Sequence, residues 1–271
     1  MKIKTIGLIA PSGNIRDFED INSKIKILEK RFKVKKFYNE NTCFGYLSDT
    51  DENRVKYLES AFLDDETDLV LSLRGGYGLI RIVDKINYNK IKNCNKFYAG
   101  SSDATILLVA LNKKTNIECY HSLMMTNGFI ENLSKNIDII ENNNCGLLNL
   151  TPIKKGECKG ILWGGNLSSL VSVLSGEEYL PNEDIILFLE DLNEPLYKID
   201  KMFYEIYRCK KLRKKIKGII YGDFYLPEEE INPLFEEYTK LFNVPGAKTL
   251  DITHKINNVT IPFGVDMAFR F

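Results

Sequence analysis

The first half of the chain alternates strand-like and helix-like stretches, and that alternation is the tightest constraint on its fold. Ile3–Ile9, Val34–Phe37, Asp68–Leu73 and Lys96–Ala99 read as strands. Phe18–Phe32 is amphipathic at helical spacing, helices are expected near Glu52–Phe62 and Leu79–Ile86, and Thr105–Asn112 is an apolar helix. Parallel neighbouring strands need a crossover, usually a helix, so this succession predicts an α/β fold: an open, mostly parallel sheet covered by helices. Asn132–Asn149 is polar and asparagine-rich and suits a surface crossing. A boundary near residue 150 follows, giving an N-terminal domain over 1–150 and a C-terminal domain over 151–271. The second half mixes short strands (Ile153–Lys155, Ile185–Leu189, Ile216–Tyr221, Thr260–Phe263) with helices near Leu167–Leu174, Lys198–Cys209 and Glu228–Leu241, which predicts a smaller α+β domain.

With 271 residues the chain can bury a substantial core. Lysine plus arginine and aspartate plus glutamate balance at 37 each, so no net field argues for a nucleic-acid or membrane partner. The six cysteines include no C-x-x-C pair, which fits reduced thiols better than a disulfide frame or a zinc site. Two histidines exclude a multi-histidine metal centre, and neither a metal nor a cofactor is expected. The first ten residues hold too short an apolar run for a signal peptide, and no window has the apolar length of a membrane span. The expectation is a soluble, cytoplasmic protein acting on a small molecule.

Four features carry chemistry. In Gly100-Ser101-Ser102-Asp103-Ala104 a serine sits between a strand and a helix. A nucleophile on so sharp a turn needs small residues two positions away on each side, and Gly100 and Ala104 meet that need. The helix behind it would aim its first N–H groups at a developing oxyanion. The competing reading is a serine that only caps the helix. Arg74-Gly75-Gly76-Tyr77-Gly78 follows a buried-looking strand and precedes a helix, at the edge where open α/β sheets bind ligands. Its glycines allow close backbone approach, and Arg74 is either a ligand contact or half of a structural ion pair. Glu190 and Asp191 end an apolar strand; such carboxylates either pair, often with histidine, or mark the arrival at water. His121 and His254, the only histidines, are both open as the base a serine hydrolase requires.

Taken together, these segments resemble the LD-carboxypeptidase family, serine peptidases that include the murein tetrapeptide carboxypeptidases and the microcin C self-immunity proteins. Matching stretches run in the family's order across nearly the whole chain: Ala10-Pro11-Ser12-Gly13, Phe44-Gly45-Tyr46-Leu47, Arg74 to Gly78, Gly100 to Thr105 and Gly164-Gly165-Asn166-Leu167. They continue through Leu187 to Asp191, Tyr197-Lys198-Ile199-Asp200, Gly218 to Gly222, and His254 followed by Pro262-Phe263-Gly264. The resemblance implies a flavodoxin-like N-terminal domain, a smaller C-terminal one, a homodimer, and a Ser-Glu-His triad on Ser102, Glu190 and His254 in the cleft between the domains. His121 then falls outside the triad. Backbone N–H groups of Asp103 and of Gly75 or Gly76 would hold the oxyanion, with Arg74 as a candidate for the substrate's carboxylate. Release of terminal D-alanine from cytoplasmic murein tetrapeptide is the activity implied. The alternatives are an immunity-type amidase that cleaves aminoacyl nucleotides and a non-catalytic small-ligand-binding module. Ser101, Ser122 and Ile252-Thr253 depart from the family's usual residues and are expected near the pocket lining.

Overall fold

The computed structural model describes residues 1–126 and 130–271. Its first strands are β1 (Thr5–Ile9), β2 (Lys33–Phe37), β3 (Leu69–Ser72), β4 (Phe97–Gly100) and β5 (Glu118–His121). Between and after them lie α1 (Phe18–Leu28), α2 (Asp51–Leu63), α3 (Tyr88–Ile91), α4 (Thr105–Lys114) and α5 (Ile130–Glu141). The helices start where the sequence supplies caps. Asp17 accepts from the Asp20 N–H before α1, and Thr50 accepts from the Asn53 N–H before α2. Helix α1 buries Ile21, Ile25 and Leu28, the one-sided spacing of a helix laid on a sheet. Strands β3 and β4 are buried along their whole length, as strands covered on both faces must be.

The second half contains β6 (Thr151–Lys154), β7 (Glu157–Asn166), α6 (Leu167–Val173), β8 (Ile185–Glu190), α7 (Leu196–Arg208), α8 (Lys210–Arg213) and β9 (Ile216–Tyr221). It continues with α9 (Glu228–Phe242), β10 (Gly246–Lys248), β11 (Ile261–Phe263) and β12 (Asp266–Arg270). The chain divides into two compact units, Met1–Gly146 with Thr260–Pro262, and Leu147–Val259 with Phe263–Phe271.

The first sheet has the order β11-β5-β4-β3-β1-β2, and its pairs from β2 to β5 are parallel. Read from β2 inward this is the doubly wound 2-1-3-4-5 order of flavodoxin-like folds. The loops after β1, β3 and β4 therefore leave at one carboxyl edge, where such folds bind ligands. The second sheet has the order β12-β7-β8-β9-β10-β6. Its centre, β7 to β10, is parallel, with β12 and β6 antiparallel at the edges.

The structure corrects the sequence reading at four places. The helix expected near Leu79–Ile86 is two single 3₁₀ turns, Leu79–Arg81 and Val83–Lys85. Much of the polar stretch taken as a surface crossing is α5: Leu133, Ile137 and Ile140 pack on Ile21, Ile25 and Leu28, while Arg31 pairs with Asp138 on the outer face. Strand β7 had no counterpart in the sequence reading, because Gly160, Gly164 and Gly165 interrupt its pattern. A Cβ on Gly164 would lie 1.9 Å from the Phe188 carbonyl oxygen, so the close approach of β8 requires glycine there. Finally, β11 joins the first sheet; Thr260, just before it, meets the Ser122 hydroxyl at 2.6 Å and accepts from the Gly146 N–H.

Candidate active site

In the first unit, β4 runs straight into the serine turn. Ser101 is extended and Ser102 has φ 58°, a left-handed conformation that typically costs a non-glycine residue about 1–2 kcal/mol. Strain of this kind marks sites where a side chain is aimed rather than packed. A Cβ on Gly100 would come within 2.7 Å of the Ala104 Cβ, so the turn closes only because both are small. Ser102 caps nothing: neither the 3₁₀ turn Ser102–Ala104 nor α4 has a side-chain cap, which removes the capping alternative.

The glycine-rich turn packs its backbone directly on this serine. A Cβ on Gly75 would sit 2.7 Å from both Cβ and Oγ of Ser102 and 3.2 Å from the Asp103 nitrogen. Two buried charges hold the turn there. Asp103 accepts from the Leu79 N–H at 2.9 Å. Burial pushes its carboxyl up, against the opposing pull of the Ser12 hydroxyl, the Leu79 and Gly78 N–H groups and the Arg54 charge. Arg54, almost fully buried on α2, donates to the carbonyls of Pro11 (2.5 Å) and Gly78 (3.0 Å) and pairs with Asp51 at 2.6 Å. Burial works against the Asp51 charge, but bonds from Lys85, Arg81 and Arg54 hold its carboxyl far below the ordinary range.

Arg74 has no carboxylate partner among the described residues. Its Nη1 donates to the Asn14 carbonyl (2.5 Å) and its Nε to that of Gly75 (3.2 Å). Burial and then the neighbouring Arg16 charge lower its pKa, the condition of a cation lacking an anion. Arg74 and Arg16 line a cavity of ≈ 580 Å³ with Asn14, Tyr46 and Tyr77, whose rings are 5.8 Å apart. His121 is fully buried at the end of β5, in register with Gly100.

In the second unit, Glu190 ends β8 and His254 lies in the loop after β10, so both stand at the carboxyl edge of the parallel strands. His254 Nδ1 is 2.7 Å from Glu190 Oε2; the two side chains are 9% and 0% exposed. Burial pulls the imidazole pKa down, but the Glu190 contact and the Glu190, Asp191 and Asp223 charges outweigh it and leave the pKa raised. Asp191 does not reach water, as one reading of this strand end had it. It is buried and accepts from Asn166 Nδ2 (2.9 Å), the Ser168 N–H (3.0 Å) and the Leu192 N–H (2.8 Å), while burial raises its pKa.

Residues 6–122 match the family model of the LD-carboxypeptidase N-terminal domain, and residues 159–269 that of the LD-carboxypeptidase C-terminal domain. The chain belongs to the LD-carboxypeptidase family. It is therefore an enzyme of a serine peptidase family, which retires the non-catalytic binding module. A probable murein peptide carboxypeptidase of Bacillus subtilis (strain 168) is 28% identical over 286 residues, spanning 98% of this chain and 88% of that protein. The murein tetrapeptide carboxypeptidase of Pseudomonas aeruginosa is 25% identical over 243 residues, 82% of this chain and 78% of its own. In fold, the chain matches a muramoyltetrapeptide carboxypeptidase from Oxalobacter formigenes with a TM-score of 0.85 at 23% identity, covering 99% of this chain and 95% of that one. An MccF-like protein from Bacillus anthracis gives 0.88 at 23% identity, covering 100% and 94%.

For this member of the family the sequence reading missed the buried Arg54 and a cluster around His254 built by Asp223, Tyr225, Thr253 and Lys255. Arg54 lies on a helix whose pattern places it with Leu58 and Phe62 on the inner face, a signal available in the sequence. The departures Ser101, Ser122, Ile252 and Thr253 are all buried.

Proposed function

We propose that the chain is an LD-carboxypeptidase that releases terminal D-alanine from cytoplasmic murein tetrapeptide, with Ser102 as nucleophile, His254 as base and Glu190 as its orienting carboxylate. The observation that carries the reading is the 2.7 Å contact of His254 Nδ1 with the buried Glu190 carboxylate. With Nδ1 committed to a carboxylate, Nε2 is the nitrogen left for a hydroxyl, and the imidazolium formed on taking its proton is stabilised where it stands. Ser102, strained and backed by Gly75, is the hydroxyl most suited to receive it.

Ser102 Oγ attacks the carbonyl before the D-alanine while its proton passes to His254 Nε2. The N–H of Asp103 and that of Gly75 or Gly76 receive the oxyanion, each donor typically worth ~3 kcal/mol to the transition state. His254 returns the proton to the departing amine, and water then hydrolyses the acyl-enzyme by the same route in reverse. Arg74, a cation without a carboxylate of its own among the described residues, serves the substrate's carboxylate. Among the described residues no helix is long and apolar enough to cross a membrane.

The rival substrate class is an aminoacyl nucleotide; MccF has been solved with aspartyl sulfamoyl adenosine. The single tryptophan of this chain, Trp163, is buried against Phe263 and offers no open ring for a base. Purified protein given murein tetrapeptide should release D-alanine, and Ser102→Ala should end that release. Activity persisting in Ser102→Ala, or cleavage confined to an aminoacyl sulfamoyl adenylate, would contradict the assignment.

A further inference from the structure

Resting on the triad reading, we propose that Asp223 is the positioning residue for the His254 imidazole, fastening the loop that carries the base to the strand end that carries Glu190. Asp223 is buried just beyond β9. Its Oδ2 accepts from Thr253 Oγ1 at 3.0 Å and from Lys255 Nζ at 2.7 Å, the two residues that flank His254. Its Oδ1 accepts from the Tyr225 N–H at 2.9 Å, holding Tyr225 in a left-handed turn with φ 59°. The Tyr225 hydroxyl lies 3.0 Å from Thr253 Oγ1, and the Lys255 ammonium stands 4.6 Å over its ring. One carboxylate thus gathers the residues before and after the histidine and the ring packed edge-on against it at 6.4 Å.

The main chain repeats the tie. The Asp223 N–H donates to the Ile252 carbonyl (2.8 Å), and the Asp223 carbonyl accepts from the Asp191 N–H (3.3 Å). The preceding Gly222 N–H donates to Leu189 (2.7 Å), and a Cβ on Gly222 would meet the Ile252 oxygen at 2.6 Å and the Glu190 Cβ at 3.0 Å. The His254 loop is closed on itself by Val259 N–H to Asp251 (2.8 Å) and Thr253 N–H to Asn258 Oδ1 (2.9 Å). The loop is thus one hydrogen-bonded turn, and Asp223 is the carboxylate that ties it to the end of β9. On the other flank, Tyr221 and Phe224 pack on Phe203 and Phe235, so Asp223 is set between two side chains of the aromatic core.

Asp223 acts through His254, so its removal should misplace the base while leaving the Ser102 turn and the cavity beside Arg74 intact. The charged and titratable groups around His254 are Glu190, Asp191, Asp223, Lys255 and Tyr225. Neutralising Asp223 removes one anion and leaves Lys255 uncompensated, so the imidazole should lose its proton at lower pH. The test is the rate at which a fluorophosphonate labels Ser102 across pH in wild type, Asp223→Asn, Thr253→Val, Lys255→Met and His254→Ala, with thermal melts of each. A base held about 1 Å out of place costs roughly a hundredfold, so Asp223→Asn should label about a hundredfold more slowly, with its acid limb at lower pH. Thr253→Val and Lys255→Met should each show a smaller loss. A folded Asp223→Asn with wild-type rate and acid limb overturns the inference. Should that variant not fold, wild-type behaviour of both Thr253→Val and Lys255→Met overturns it equally. If His254→Ala itself labels at the wild-type rate, the triad reading fails instead.

Discussion

The serine and the histidine of this enzyme are held by different physics. On Ser102 itself the restraints are steric: a left-handed φ, glycine and alanine where nothing larger fits, and the Gly75 backbone pressed on the side chain, with the buried Asp103 and Arg54 holding the glycine-rich turn behind it. Around His254 they are electrostatic: a buried carboxylate at Nδ1, two further acids nearby, and hydrogen bonds that run through Asp223. A steric restraint is indifferent to pH, whereas a web of charges titrates. On the proposed triad, the histidine's side would set the pH window of the reaction and the steric fit of the serine turn its geometry.

The sharpest way to break this comparison is Glu190→Gln. The amide no longer holds the imidazole in the tautomer the reaction needs, and kcat should fall by up to ~10⁴-fold. Glu190 also raises the His254 pKa, so the acid limb of kcat/KM should move to lower pH. Stability should show the opposite trend. A pKa raised above 6.5 on folding means that the protonated imidazole stabilises the fold fully below that value and loses the contribution as pH climbs through the folded pKa. Melting curves of Glu190→Gln should thus differ most from wild type below pH 6.5 and converge as pH climbs through the raised folded pKa. An unmoved acid limb would mean that the contact does not tune the base.

Gly75→Ala probes the other side. The added methyl must displace Ser102, and kcat should drop by roughly a hundredfold. The loss should be the same at every pH, and an acid limb that moved with it would erase the distinction drawn above. Arg74→Met should have the smallest effect: KM for a peptide with a free terminal carboxylate rises by roughly ten- to a hundredfold, the worth of one charged hydrogen bond, with kcat little changed. A C-terminally amidated substrate should show no such rise.

The same contrast explains what the sequence made legible. The serine turn was readable because steric demands are local: Gly100, Ser102 and Ala104 lie within five residues, and Arg74 to Gly78 announce a tight backbone. Long apolar strands such as β3 and β8 were readable for similar reasons. Strand β7 was not, because its glycines answer to the backbone of β8, a partner that strand propensity does not see. Helix α5 hid its apolar stripe among asparagines. The Asp223 cluster was invisible for a deeper reason: the carboxylate meets Thr253 and Lys255 across 30 and 32 residues of chain, and no local pattern encodes such a meeting. Residue type left Glu190 and His254 open among alternatives, the family resemblance put them together, and the fold shows them in contact.

One measurement bears most directly on the central claim that a strained serine is activated by the Glu190-bound imidazole. Mass spectrometry of the fluorophosphonate-treated protein should find the adduct on Ser102 alone, forming with an acid limb above the ordinary histidine pKa of 6.5 and vanishing in His254→Ala. An adduct on another serine, or unimpaired labelling of Ser102 in His254→Ala, would contradict the account.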